Sequence, residues 1–237
     1  VSMIDNKTKK LAIVQSCYIP WKGYFDLINM ADEFILYDDV QYTRRDWRNR
    51  NKIRTPNGSQ WLTIPVEVSG KYLQKINETK ISDSNWAKNH WATITHNYRK
   101  AKYFKEFEPL FKTLFLDSTE TYLSLINYKF ITAINEILGI KTKISWSSEY
   151  ALLEGQTERL LGLCKSAKAT EYISGPAAKD YLDVSLFTQE NILVSWMDYN
   201  NYPEYQQNYP GFDHFVSILD LLFNEGPQAT NYMKSFT

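Results

Sequence analysis

An apolar run, Leu11-Ala12-Ile13-Val14, leads through Gln15 and a proline-interrupted turn into an amphipathic segment from about Lys22 to Ala31. A second apolar run, Phe34-Ile35-Leu36, then ends in Asp38 and Asp39. The order is strand, loop, helix, strand. A helix between two short apolar strands builds a parallel pair, and ligands of such sheets gather at the carboxyl ends of the strands. Gln15, Asp38 and Asp39 are expected at that edge.

Farther along, Gln60 to Val68, QWLTIPVEV, alternates as a strand does and follows the turn Thr55-Pro56-Asn57-Gly58. From Asp83 the pattern turns helical. Asp83 or Ser84 can cap a helix carrying Trp86, His90, Ile94 and Tyr98 on one stripe, a second helix covers Phe104 to Phe115, and a third runs from about Thr119 to Leu138 and stops at Gly139. Strands return at Lys143 to Trp146, Glu171 to Ser174 and Ile192 to Trp196, with a helix over Thr157 to Ser166 and a closing helix, SILDLLFNEG, stopped by Gly226. The fold class is α/β, with a Rossmann-like parallel sheet. No linker rich in Ser, Gly or Pro separates the helical middle, so residues 1–237 are expected to form a single domain with a helical insertion at about 83–138.

Lys and Arg together number 27 and Asp and Glu 27, so net charge gives no reason to expect a nucleic-acid partner. The charge is nonetheless uneven: Arg44, Arg45, Arg48, Arg50, Lys52 and Arg54 fall close together, opposed only by Asp46. A local anion site is expected there, because guanidinium groups grip phosphate oxygens in bidentate fashion at any accessible pH. If that segment is extended, Arg44, Asp46, Arg48 and Arg50 share one face; the plain alternative is a solvated edge strand. The chain also holds 17 Tyr, 7 Trp and 12 Phe, many beside polar residues, which suits a ligand with flat rings or sugar faces. Cys17 and Cys164 form no disulfide framework or metal spacing, the start VSMIDNKTKK lacks a signal peptide's apolar core, and no stretch approaches the roughly 18 to 20 apolar residues a bilayer span needs. A cytoplasmic protein without membrane insertion is expected.

Of three histidines, His90 shares a helical stripe with Trp86 and Tyr98 and can serve as a general base; the alternative is a packed side chain. His96 falls elsewhere on that helix and His214 precedes the last one. No metal site is expected from three scattered histidines. Cys17 could sit at a helix start that activates it, against the plainer reading of a small buried thiol, and Cys164 reads as packing. Asp38 and Asp39, being adjacent, point to opposite sides, so one can face a site while the other binds an arginine. Ser174-Gly175-Pro176 closes a strand and opens a helix whose amides, with Lys179, can hold a phosphate; an unliganded tight turn fits equally, and neither a Walker loop nor GxGxxG is present.

The string from Gln15 to Val66, together with NHWATITHNYRKAKYF, EYISGPAAKDYL and FVSILDLLFNEGP, resembles the WbqC-like family of bacterial proteins over nearly the whole chain. The matching residues are Gln15, Tyr18, Pro20, Trp21, Gly23, Asp38, Asp39, Gln41, Arg48, Asn49, Arg50, Trp61, Pro65, His90, Tyr98, Ser174, Gly175 and Asp220. Where the family commonly has Pro and a variable residue, this chain has Ser16 and Cys17, which argues against a cysteine nucleophile as shared chemistry. The family takes its name from a gene of surface-polysaccharide (O-antigen) assembly. The resemblance implies a sugar-linked role without fixing a reaction; together with the arginine cluster and the strand-end carboxylates, the expectation is a transferase that acylates, or aminoacylates, the amine of a nucleotide-linked amino sugar.

Such a reaction needs an acyl donor, for which a CoA or carrier-protein thioester is one candidate and which the sequence does not identify, and the expected partners are a nucleotide-linked sugar and an acyl carrier. His90, Asp38 and Asp39 would be catalytic; Gln15, Tyr18, Trp21, Gln41, Arg45, Arg48, Asn49, Arg50, Trp61, Tyr98, Ser174, Gly175 and Lys179 would bind substrate. The opening is also similar to nucleotidyltransferases with a HIGH motif, but Ile19-Pro20-Trp21 stands where HxGH would be. An ATP-dependent activating enzyme or nucleotidyltransferase, and a non-catalytic sugar-nucleotide binding protein, are the alternative readings.

Overall fold

A computed structural model describes residues 7–236. The strands in chain order are β1 (Lys10–Val14), β2 (Glu33–Leu36), β3 (Arg50–Thr55), β4 (Gly58–Thr63), β5 (Lys143–Trp146), β6 (Glu171–Ser174) and β7 (Leu193–Trp196). The helices are α1 (Lys22–Met30), α2 (Trp86–Tyr98), α3 (Phe104–Leu116), α4 (Leu123–Leu138), α5 (Gln156–Ser166), α6 (Val184–Gln189) and α7 (Ile218–Glu225). The chain divides into two compact units, each built from three stretches. Residues up to Val14, Leu27–Tyr37 and Lys141–Asn200 make the first; Gln15–Asp26, Asp38–Ile140 and the residues from Asn201 onward make the second. Among the described residues no helix is long and apolar enough to cross a membrane.

The first unit holds a five-stranded parallel sheet in the order β5-β2-β1-β6-β7. Numbering only its own strands, the order is 3-2-1-4-5, that of Rossmann sheets. Leu11, Ala12, Ile13 and all four residues of β2 are buried, as befits strands covered on both faces, and the register places Ile13 beside Ile35. Leu160, Leu163 and Cys164 of α5 and Phe187 of α6 pack into the same core, where Tyr172 stacks on Phe187. Cys164 is thus a packing residue. Between the adjacent strands β2 and β5 the chain leaves to build most of the second unit.

One carboxylate lies inside this apolar sheet. Glu33 is 1 % exposed and accepts from Lys9 Nζ at 2.7 Å and from the Ser145 and Tyr150 hydroxyls, each at 2.5 Å. Burial pushes its acidity toward the neutral form, but these donors outweigh burial and hold it below the ordinary glutamate value. A depressed folded pKa contributes stability that is present above the unfolded value and is lost as pH falls through the folded one. Glu33→Gln is accordingly expected to cost about 2–4 kcal/mol at neutral pH, since the amide presents a donor to three donors. The cost should shrink as the pH drops below about 4. Chemical denaturation across that range checks it; a pH-independent difference would contradict the role of charge.

The second unit combines the β3–β4 hairpin with α2, α3, α4 and α7 around an aromatic core. Trp91 stacks on Phe104 and Phe115, and Phe115 meets Phe130 at 4.7 Å. The hairpin turns at Thr55–Gly58, where Gly58 takes φ +102°, a value side-chain-bearing residues rarely adopt. Gly139, with φ +73°, stops α4.

Three local expectations need correction. The strand expected over Gln60 to Val68 stops at Thr63. Pro65 has no amide to donate, and Val66 instead bridges Ile81. The helix expected from Thr119 begins at Leu123, because Ile81 N donates to the Thr121 carbonyl and Leu123 N to that of Thr79, drawing residues 121–123 against the segment 79–81. The arginine run is extended only from Arg50 onward; Arg44 to Arg48 form turns, with Arg45 at φ +60°, so Arg44, Asp46 and Arg48 do not share a strand face with Arg50.

Candidate functional site

In the second unit, the turn before β3 is organised by Asp46. It accepts from Thr43 Oγ1 and Trp47 N, pairs with Arg48 Nη2 at 3.6 Å, and is held below the usual carboxylate range: burial raises it, while Arg48 and these hydrogen bonds more than offset that. Arg50 donates to the Arg45 carbonyl and lays its guanidinium over the Trp61 ring at 3.9 Å. Trp61 lies opposite Lys52 in the hairpin and meets the Trp47 ring at 5.1 Å. The stacking fixes a planar cation on an exposed indole face.

This arrangement borders a cavity of about 370 Å³ lined by Tyr42, Arg44, Arg45, Asn49, Arg50, the chain from Thr63 to Val66, and Val68. A second cavity, about 280 Å³, shares Tyr42, Arg44 and Val68 with it and is lined further by Gln41, Thr43, Lys71, Tyr72 and Gln74. Three buried polar atoms on residues of these walls have no hydrogen-bond partner among the described residues: Arg50 Nε, Asn49 Oδ1 and Gln74 Oε1. Buried polar groups are ordinarily paired, so a donor and two acceptors left unpaired on residues that line these two cavities call for partners that ordered water or a bound polar group would supply. The cationic end suits phosphate oxygens and the Gln/Tyr end suits a hydroxylated ring.

Of the residues expected to bind substrate, Gln41, Arg45, Asn49 and Arg50 line this cleft, and Trp61 supports it. Arg48 is engaged within the protein: Nη1 donates to Cys17 Sγ at 2.9 Å, and its partner's thiol is pushed up to about 11 by burial despite the cation. Cys17 is therefore a thiol at neutral pH. Tyr98 is fully buried, with its hydroxyl between Asp220 and the Arg54 amide. The Gln15 carbonyl accepts from Tyr24, and the Trp21 ring packs against Tyr202 and Phe215. Ser174, Gly175 and Lys179 belong to the first unit, at the carboxyl end of β6. There the chain opens a five-residue 3-10 turn, Pro176–Asp180, rather than an α-helix, and Lys179 Nζ lies 5.5 Å from the Trp196 ring.

The expected catalytic side chains are tightly held. His90 accepts from the buried Tyr18 hydroxyl at Nδ1, 2.8 Å, and donates from Nε2 to the Thr63 carbonyl, 3.0 Å. Burial lowers it to about 4, so it is neutral and both nitrogens are occupied. Asp38 is 1 % exposed and accepts from Ser16 N, Ser16 Oγ and Ser124 Oγ at 2.8, 2.6 and 2.5 Å; burial raises it against those bonds. Through Ser16, Asn127 is held so that it also donates to the Arg48 carbonyl, which ties this carboxylate to the turn before β3. Asp39 accepts from Asn77 at 3.0 Å. The residues missed from sequence are Arg44, Tyr72 and Gln74; only Arg44, inside the basic run, left a signal.

The WbqC-like protein family model matches residues 15–232. The chain belongs to the WbqC-like family. This WbqC-like protein is also similar to an uncharacterized protein of Mycobacterium tuberculosis, 51% identical over 226 residues that cover 95% of this chain and 98% of the relative. No solved structure matches it.

Proposed function

We propose that this WbqC-like protein is a cytoplasmic transferase that acylates, or aminoacylates, the amine of a nucleotide-linked amino sugar for surface-polysaccharide assembly. The observation that carries the reading is the pair of neighbouring cavities sharing Tyr42, Arg44 and Val68, with an arginine end, a Gln/Tyr end and unpaired buried polar atoms on the lining residues Arg50, Asn49 and Gln74. In them, Arg44, Arg45 and Arg50 hold the diphosphate and Gln41, Tyr72 and Gln74 meet the sugar. The acceptor nitrogen attacks the carbonyl carbon of a CoA or carrier-protein thioester, the C–N bond forms as the C–S bond breaks, and the proton lost by the nitrogen balances the departing thiolate, which leaves as the thiol. Asp38 and His90 serve as positioning residues: one holds the turn before β3, and the other fixes the Thr63 carbonyl on the cleft wall.

Their full internal hydrogen bonding favours a second reading, binding of a sugar nucleotide without turnover. Thermal unfolding with UDP, dTDP, GDP, ATP and amino-sugar conjugates, followed by mass analysis with acyl thioesters, separates the two. A ligand present at 100 times its Kd stabilises by about 2.7 kcal/mol, a readable shift. Selective stabilisation by a diphosphosugar plus an acylated product supports the transferase. Stabilisation without product leaves the binding protein, and a response to ATP with pyrophosphate release would replace both with an activating enzyme.

A further inference from the structure

We propose that Lys22 and His214 form a proton-relay site, in which the imidazole takes a proton from a bound amine or hydroxyl group and passes its other ring proton to the lysine. Lys22 is only 2 % exposed, and its Nζ lies 2.7 Å from His214 Nδ1. The rings of Tyr202, Tyr205 and Phe212 surround that nitrogen at 5.1, 5.6 and 5.7 Å. Among the described residues no carboxylate forms an ion pair with it. His214 is half-exposed, and no described residue hydrogen-bonds its Nε2, so the pair has a buried end and an open end.

The surroundings set the direction of transfer. Lys22 opens α1, where the helix dipole disfavours a cation. Asp26 on α1, Asp213 beside the histidine and Asp220 on α7 favour the cation, but burial wins and brings the amine down to about 8. Each carboxylate has other partners: Tyr202 and Ser235 donate to Asp26, Lys52 to Asp213, and Tyr98 and Tyr205 to Asp220. Glu204 acts on His214, and Lys234 sits over the far ring, Tyr202, at 5.3 Å. Burial and the neighbouring ammonium lower the imidazole's own proton affinity, so the amine is the stronger base of the two.

With the amine neutral, its lone pair accepts the Nδ1 proton and Nε2 carries an open lone pair. A substrate N–H or O–H bond breaks as its proton goes to Nε2, and the Nδ1–H bond breaks as that proton goes to Nζ. The electron pair left on the substrate atom is the nucleophile. Lys22 ends as an ammonium, and His214 ends neutral with its proton on Nε2. The residue before His214 is tied to the hairpin that carries Arg50: Lys52, which pairs with Asp213, lies two residues beyond Arg50 on β3 and 5.8 Å from the same Trp61 ring. The relay rests on the transferase reading only for the identity of the group that gives up the proton.

Imidazole nitrogen NMR on the whole protein between about pH 6 and pH 10, with the Lys22 side chain followed in parallel, tests this without any substrate. His214 should move its proton from Nε2 to Nδ1 with a midpoint where Lys22 titrates, about 8, while His90, held at both nitrogens, stays unchanged. Lys22→Arg, which keeps the cation but does not deprotonate, should lock His214 in the Nδ1-acceptor form throughout. A tautomer that stays fixed while Lys22 titrates would make the lysine a caged structural cation and overturn the relay, as would a swap that persists in Lys22→Arg. The swap is expected even if no sugar acceptor is found, so failure of the transferase reading is distinguishable from failure of the relay.

Discussion

Arg50→Ala is expected to weaken binding of a nucleoside diphosphate by about 30- to 100-fold, the scale of one lost charge-assisted, bidentate contact. The residue is suited to that contact because Trp61 supports its guanidinium face and its Nε is a buried donor without a partner. Arg50→Lys should recover little of the loss, since an ammonium neither stacks flat on the indole nor presents a planar fork. Stability should fall only modestly, through loss of the hydrogen bond to the Arg45 carbonyl and the stack on Trp61, because the backbone pairing of Arg50 with Thr63 is kept. Arg54 is the control. Its guanidinium donates to the Pro210 and Gly211 carbonyls, so Arg54→Ala should lower stability and leave affinity close to that of the wild type. Calorimetric titration of the three variants with the best-stabilising nucleotide decides. Equal affinity for Arg50→Ala and the wild type would remove the arginine end of the cleft from the binding site.

The largest stability effect is expected at Asp220. It is fully buried on α7 and accepts from the Tyr98 hydroxyl of α2 at 2.7 Å and the Tyr205 hydroxyl at 2.6 Å, while Tyr98 in turn accepts from the Arg54 amide of β3. One carboxylate thus joins a helix, a loop and the hairpin. Asp220→Ala leaves two buried phenols without acceptors as well as a small void, and should cost about 3–5 kcal/mol, or roughly 10 °C in Tm for a chain of this length. Asp220→Asn keeps one acceptor and should cost about half as much. Burial raises the Asp220 pKa, so this anchor tolerates protonation. Its folded form gains stability relative to the unfolded chain as pH falls, the opposite sign to Glu33. A Tm for Asp220→Ala within a degree or two of the wild type would show that water replaces the carboxylate.

Those two carboxylates also mark how far the sequence is legible. The strands of the parallel sheet stand out as apolar runs because both faces are covered, and Glu33 enters one of them only because Lys9, Ser145 and Tyr150 arrive from distant positions. β3 is hidden for the opposite reason. Its residues, Arg-Asn-Lys-Ile-Arg-Thr, are mostly polar, and the strand is held by its ladder to β4 and by cations lying on Trp61. The basic run announces a concentration of cations but not their assignments: Arg48 and Arg54 are committed to internal acceptors, whereas Arg44, Arg45 and Arg50 border the cleft, Arg50 with one donor also on the Arg45 carbonyl. Spacing on a helix likewise groups His90 with Tyr98 without revealing that both polar tips end on protein atoms. Lys22 and His214 are separated by 192 positions, and nothing local to either signals the other.

The neighbouring strands β2 and β5 bear on how the molecule comes to exist. More than a hundred residues lie between them, and each compact unit is stitched from three separate stretches. During synthesis β1 and β2 emerge early and must wait, apolar on both faces, until the residues beyond Ile140 leave the ribosome. Cutting the gene at any one point between Gln15 and Asn200 therefore leaves both units broken, and chaperone supply should govern the yield of this protein more than its equilibrium stability does.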